Sequence, residues 1–142
     1  MIFTYRGHHF EIAGYTENDH ISEIIRTTST FYELDLLDYM RYMIGAAKRH
    51  GVAIDVGANI GNHSIFFAHF IADTVIAIEP NPAILPLLRA NLSNNHRKWI
   101  VVDSAVGSKP GQGHIKLPTE NNANIGMAQI ELAVPLRAND VF

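Results

Sequence analysis

Cysteine is absent from the 142-residue chain, which excludes disulfides and thiolate metal sites and leads us to expect a reducing compartment, the cytoplasm. No apolar run approaches the roughly 18 residues of a membrane span. The N-terminus also lacks the charged stretch and apolar block of a secretory leader, so no membrane partner is expected. Basic charge is scarce: 11 Lys and Arg stand against 14 Asp and Glu, for a net charge of -3. The basic residues (Arg26, Arg41, Arg89 and Lys98 among them) are scattered rather than clustered, so no nucleic-acid partner is expected. Two Asn-x-Ser triplets, at Asn62 and Asn91, have meaning only in a secreted chain.

What is present is an ordinary globular composition, 47% hydrophobic and 18% charged, long enough to bury a core as one domain. "MIFTYRGHHFEIAG" alternates and turns at Arg6-Gly7-His8, a β-hairpin pattern. "TENDHISEIIRTT" carries Ile21, Ile24 and Ile25 at helical spacing. "TFYELDLLDYMRYMIGAAKRH" predicts the longest helix, with a polar stripe through Asp35, Asp38 and Arg49 and a wide apolar face. Then strand-length apolar runs, "GVAIDVG", "DTVIAIEP" and "KWIVVDSAVG", alternate with the helical "NHSIFFAHFIA" and "NPAILPLLRANLSNN". The second of these helices is expected to open at Asn81-Pro82 and close at Asn94-Asn95. "GQGHIKLP" and "GMAQIELAVPL" read as two strands around the polar loop "TENNANIG".

Alternating strands and helices at this spacing predict a Rossmann-like α/β fold, a doubly wound, mostly parallel sheet with right-handed crossovers. We divide the chain into a hairpin and short helix at 1–29 and an α/β nucleoside-binding unit at 30–142, folded together as one domain. Ligands of such sheets bind at the carboxyl ends of the strands, here the turn "DVGANIGNHS" after the first buried run. Glycines at 57 and 61 suit a strand that reverses into a helix close to a ligand. A dinucleotide fingerprint requires glycine at 59 and 62, where asparagine stands, and a phosphate loop requires Gly-Lys at 62 and 63, where Asn-His stands. Asp55 would repel a pyrophosphate but suits an ammonium or sulfonium. Glu79 ends the second strand, where an acid can accept from both ribose hydroxyls. Asp103 and Ser104 end the third, where an adenine edge could sit. Ammonium, ribose and adenine together describe S-adenosylmethionine.

"FYELDLLDYM", "AIDVGANIGNHSIFFA", "VIAIEPNPAILPLLRANL" and "SAVGSKPG" resemble the FkbM-type family of S-adenosylmethionine-dependent methyltransferases, over about Phe31 to Gly111. The resemblance implies a class I methyltransferase fold, with Asp55, Gly57, Asn59 and Gly61 around the methionine part of the cofactor. It likewise implies Glu79 on the ribose, Asp103 and Ser104 near the adenine, and Glu33 approaching the cofactor. The implied reaction is methyl transfer to a hydroxyl of a sugar or small natural product.

Plainer roles compete for several of these residues. Glu33 also fits a capping box with Thr30. At about 100° per residue it would share a helix face with Leu37, Met40 and Ile44, where a carboxylate needs a partner. Asp103 fits a loop cap, and Asn59 a left-handed backbone position. His63 falls in the first turn of a helix and is not read as a base, so no catalytic residue is assigned. His8 and His9 are neighbours in a strand and point to opposite faces, so no metal site is expected. Trp99, Phe66, Phe67 and Phe70 read as core. Asn121, Asn122 and Asn124 read as a solvated loop. The chain ends where the family's further strands would begin, so the fold is expected to be truncated at its C-terminal end. That leaves "VAIDV" as a hydrophobic sheet edge open to self-association. Two other readings stay open: a non-catalytic S-adenosylmethionine- or nucleoside-binding fragment, and an NAD- or nucleotide-sugar-binding domain.

Overall fold

Arg6 and Gly7 both take positive φ (48° and 80°), as a two-residue hairpin turn of the primed type requires. They join β1 (Ile2–Tyr5) to β2 (His8–Glu11) in antiparallel register, Phe3 opposite Phe10. The computed structural model describes residues 1–16, 19–45, 51–96, 98–116 and 129–132. Helix α1 (His20–Thr28) is capped by Asp19, whose carboxylate accepts from the Ser22 N–H and hydroxyl at 3.0 and 2.7 Å. Helix α2 runs from Leu34 to Ile44, starting four residues later than its periodicity predicts.

The later start has a steric cause and a packing cause. Phe31 is buried in the core, edge-on to Phe3, Phe10 and Phe66, and Glu33 takes a left-handed φ of 56° that breaks the helical path. Glu33 therefore lies outside the helix and makes no side-chain cap; Thr30 Oγ1, its supposed capping partner, is buried with no hydrogen bond. The wide apolar face of α2 is mostly uncovered among the described residues: Leu37 is buried, whereas Leu36, Tyr39, Tyr42 and Met43 are exposed. The predicted extension through Arg49 lies outside the described residues.

The centre is a parallel sheet in the order β3 (Val52–Val56), β4 (Thr74–Ile78), β5 (Trp99–Val102), connected by α3 (Asn62–Phe70) and α4 (Leu85–Asn95). Asn81 and Pro82 form a turn ahead of α4 rather than its first residues, and Pro86 occupies the first helical turn. Right-handed crossovers in sequential strand order put α3 and α4 on the same face of the sheet. Burial agrees. Ala53, Asp55, Val75 and Ala77 face the helices, while Val52, Ile54 and Val56 on the opposite face are 58, 60 and 61% exposed. Among the described residues the sheet is thus covered on one face, and β3 pairs with β4 alone. The alternating strands and helices thus form the parallel α/β sheet expected of them, with helices on one of its faces among the described residues. A last hairpin, β6 (Gly113–Lys116) with β7 (Gln129–Leu132), is antiparallel. Its polar loop, including Asn121, Asn122 and Asn124, lies outside the described residues.

The N-terminal hairpin joins the α/β unit through amides and rings. Asn91 and Asn95, one turn apart on α4, pair with the backbone of Ala13 and Glu11, each side chain donating to the carbonyl and accepting from the N–H. Phe3, Phe10, Phe31 and Leu37 share one core with Ile65, Phe66, Leu88 and Leu92. Asn62 holds the Tyr32 N–H and carbonyl in the same two-handed way, each at 3.0 Å. Both Asn-x-Ser asparagines are therefore buried and engaged.

Candidate functional site

The carboxyl ends of the three parallel strands open into a cleft of about 400 Å³, within the range of small-molecule sites. Its floor is the turn after β3. The Gly57 and Ala58 N–H groups donate to the Ile78 carbonyl (2.9 and 3.0 Å), so the turn leans over the end of β4. Gly57 takes φ +83° and Asn59 φ +48°, the left-handed positions that reverse the chain. A side chain at 57 would meet nothing within 4 Å, so this glycine leaves the cleft open.

Glu79 fastens the floor to the next loop. Its carboxylate, 7% exposed, accepts from the Asn59 N–H at 2.9 Å with one oxygen and from the Asn81 N–H at 2.8 Å with the other. A carboxylate has about four acceptor positions, so two remain for a ligand, one on each oxygen. Vicinal hydroxyls, such as those of a ribose, match that pair. Two more polar atoms of the cleft wall are unpaired: Asn59 Oδ1 and Asn81 Nδ2 are buried without a hydrogen bond, although Asn81 Oδ1 accepts from the Ala83 N–H. Both asparagines hold the Glu79 carboxylate through their backbone N–H groups, and a buried polar atom left without a partner is costly. Ile84, Ala105, Val106, Ile115 and Ile130 add an apolar wall that suits a flat ring system.

The structure divides the residues singled out from the sequence. Gly57, Asn59, Glu79 and Ser104 line the cleft together. Asp103 is exposed beside it and contributes no wall. Gly61 faces away from it: a Cβ there would stand 2.9 Å from Leu88 Cδ1, so this glycine serves the close approach of α3 to α4. Asp55 points beneath the turn, where Ser64 donates its hydroxyl at 2.6 Å. Burial raises the Asp55 carboxyl above its ordinary range, against the opposing pull of the Ser64 hydrogen bonds and the His63 charge. Asp55 thus secures the start of α3 and is not part of the cleft wall.

Glu33 meets His63 instead of a helix cap, Oε2 to Nε2 at 3.2 Å, close enough for an ion pair but out of hydrogen-bond alignment. The imidazole lies parallel to the Tyr32 ring, and both line the cleft on the side of β3. Burial, reinforced by the Glu33 carboxylate, pushes the Tyr32 hydroxyl pKa up. Sequence reasoning passed over Asn81, Tyr32 and the hairpin residues Ile115 and Ile130. Asn81 had a usable signal, since an asparagine two residues after a strand-end acid stands at the same strand end. The hairpin residues had none.

His8 and His9 do diverge: His9 Nδ1 lies 2.9 Å from Thr4 Oγ1, while the His8 ring meets His69 and Phe70. Among the described residues no group of three or more His, Asp or Glu side chains could hold a metal, and no helix is long and apolar enough to cross a membrane. No protein-family model matches the chain, and no curated protein matches it.

Proposed function

We propose that this chain is a Rossmann-like, S-adenosylmethionine-dependent methyltransferase that acts on a hydroxyl of a sugar or small natural product. The observation that carries the reading is Glu79 at the end of β4. Its carboxylate accepts from the Asn59 and Asn81 N–H groups and keeps one further acceptor position on each oxygen, in a cleft floored by a glycine turn without dinucleotide or phosphate-loop residues. The resemblance to the FkbM-type family in the turn and in "EPNP" points the same way. Glu79 would take the ribose hydroxyls, Ser104 and the apolar wall the adenine, and the turn at Gly57 and Asn59 the methionine part. S-adenosylmethionine supplies the methyl group as an activated sulfonium. Rate in such a transfer comes chiefly from aligning the acceptor oxygen with the methyl. Among the described residues β3 pairs with β4 alone and Val52, Ile54 and Val56 are exposed, and we propose this side of β3 as a surface for self-association, which sedimentation velocity would measure directly.

Calorimetric titration with S-adenosylmethionine and with NAD tests the assignment. Saturable binding of the first in the micromolar range and not of the second is the expected outcome. Glu79→Gln, which exchanges one acceptor oxygen for a donor, should weaken that binding about 10-fold or more. Binding of NAD alone, or of neither compound, would overturn the reading.

A further inference from the structure

The β6–β7 hairpin reaches the cleft through one pair of side chains. Ile115 stands opposite Ile130 in the antiparallel register, so the two share a face of the hairpin, and both line the cleft. Their neighbours His114, Lys116, Gln129 and Glu131 alternate to the other face, where Lys116 Nζ meets the Glu131 carboxylate at 2.9 Å. Gly113 lies on the isoleucine face. A Cβ there would stand 3.1 Å from Ile130 Cγ2 and 2.8 Å from the Glu131 carbonyl oxygen, so the glycine makes room for Ile130.

Little else holds this hairpin in place. Among the described residues no hydrogen bond or ion pair joins β6 or β7 to the rest of the chain, and neither isoleucine belongs to the shared apolar core. A two-stranded hairpin is marginal in water unless its apolar face packs on something. Here that face turns to the cleft, where Ile130 is still 42% exposed and Val106 is exposed as well. The same cleft holds the Glu79 carboxylate, with a position on each oxygen for a hydroxyl. A compound that joins vicinal hydroxyls to a flat ring satisfies both features at once.

We infer that the β6–β7 hairpin is a cover ordered by its ligand: Ile115 and Ile130 pack on the base of a nucleoside whose ribose Glu79 holds, and the base supplies the packing that the hairpin lacks. The inference rests on the nucleoside part of the cofactor reading above and adds that binding and hairpin order are coupled. Such coupling is reciprocal. The factor by which the closed hairpin tightens binding is the factor by which saturating ligand suppresses the hairpin's opening. Loss of the two isoleucine contacts should cost about 10-fold in affinity, so opening should be suppressed by a similar factor.

Hydrogen exchange of the β6 and β7 amides, resolved by NMR, reads the opening, and calorimetry reads the affinity. Saturation with S-adenosylhomocysteine, the cofactor without its methyl group, should slow these amides about 10-fold in the wild-type chain. The double variant Ile115→Ala with Ile130→Ala should bind it about 10-fold more weakly, whereas Lys116→Ala, on the outward face, should bind within two-fold of wild type. The exchange measurement uses the wild-type chain, so it stands even if the double variant loses the hairpin. Unchanged exchange in the bound protein, or affinity kept within two-fold in the double variant, would overturn the cover and leave the cofactor reading standing. NAD bound in place of S-adenosylhomocysteine, with the same protection of the hairpin, would overturn the cofactor and keep the cover. Binding of neither compound would overturn both.

Discussion

Asp55 offers the sharpest test of how this turn is built. Asp55 is buried, 7% exposed, and it accepts from the Ser64 hydroxyl and N–H. Burial dominates its titration, so the folded-state pKa lies above the unfolded value of 3.8. The sign follows by linkage: a carboxyl with a raised folded pKa is more favourable to folding when protonated. That contribution is fully present below the unfolded value and is lost as pH rises through the folded one. At neutral pH the ionised Asp55 is therefore a net burden. Asp55→Asn removes the charge and keeps an oxygen for Ser64, giving up only the charge-assisted part of those bonds, about 1 kcal/mol. Relief of the buried charge offsets this, so the variant should melt within about 4 °C of wild type at pH 7, or above it. Asp55→Ala strands both Ser64 donors and should cost about 2–4 kcal/mol, or roughly 8–15 °C. As pH falls below the folded pKa toward 3.8, wild type should gain on Asp55→Asn. Thermal melting by circular dichroism from pH 3.5 to 7.5 reads all three curves. The reasoning is wrong if Asp55→Asn loses more than about 2 kcal/mol at pH 7, because the ionised carboxylate would then be stabilising.

Two further substitutions probe the frame around the site. Gly61→Ala combines a left-handed φ of +92° with a Cβ 2.9 Å from Leu88 Cδ1 and should cost about 2–3 kcal/mol. Gly57→Ala, with open space at φ +83°, should cost about 1 kcal/mol; denaturant midpoints compare the two, and equal losses would refute the close-approach argument. Asp38 fastens the N-terminal hairpin to α2, accepting from the Tyr5 hydroxyl at 2.6 Å and Arg41 Nε at 3.2 Å. Burial alone would raise its pKa, but those hydrogen bonds and the charges of Arg6 and Arg41 outweigh it and hold it below 3.8. Its contribution is therefore present above about pH 4 and lost as pH falls through the folded pKa. Because the side chain is a third exposed, Asp38→Asn should cost only about 0.5–1 kcal/mol at pH 7, with the gap to wild type closing in acid melts as pH falls through the lowered folded pKa.

The order of strands and helices was legible because run length and period carry it: runs of four or five mostly apolar residues rich in Val and Ile are too short for the helices that the neighbouring 3.6-residue patterns form. Which faces are covered was not. "VAIDV" and "WIVV" read as strands buried on both sides, yet sequential strand order places both crossover helices on one side and leaves Ile54 and Ile100 exposed. Composition says that a strand is apolar; only connectivity says what covers it. The same division runs through the site. A strand-end acid such as Glu79 is held at the cleft wherever its strand lies, so position in the chain was enough to find it. Asp55, one residue inside β3, alternates to the helix-facing side with Ala53, and Ser64 nine residues on is the partner it meets there. Glu33 was misread for a related reason. Its helical face was counted from a helix that had not begun, because Phe31 fills the aromatic core and Tyr32 is clamped by Asn62. That clamp spans 30 residues of sequence. Such two-handed asparagines, at 62, 91 and 95, join segments by shape-specific amide pairing rather than by any local pattern. They align the hairpin, α3 and the cleft floor to one another, and long-range register of that kind is what a reading of propensities and motifs cannot supply.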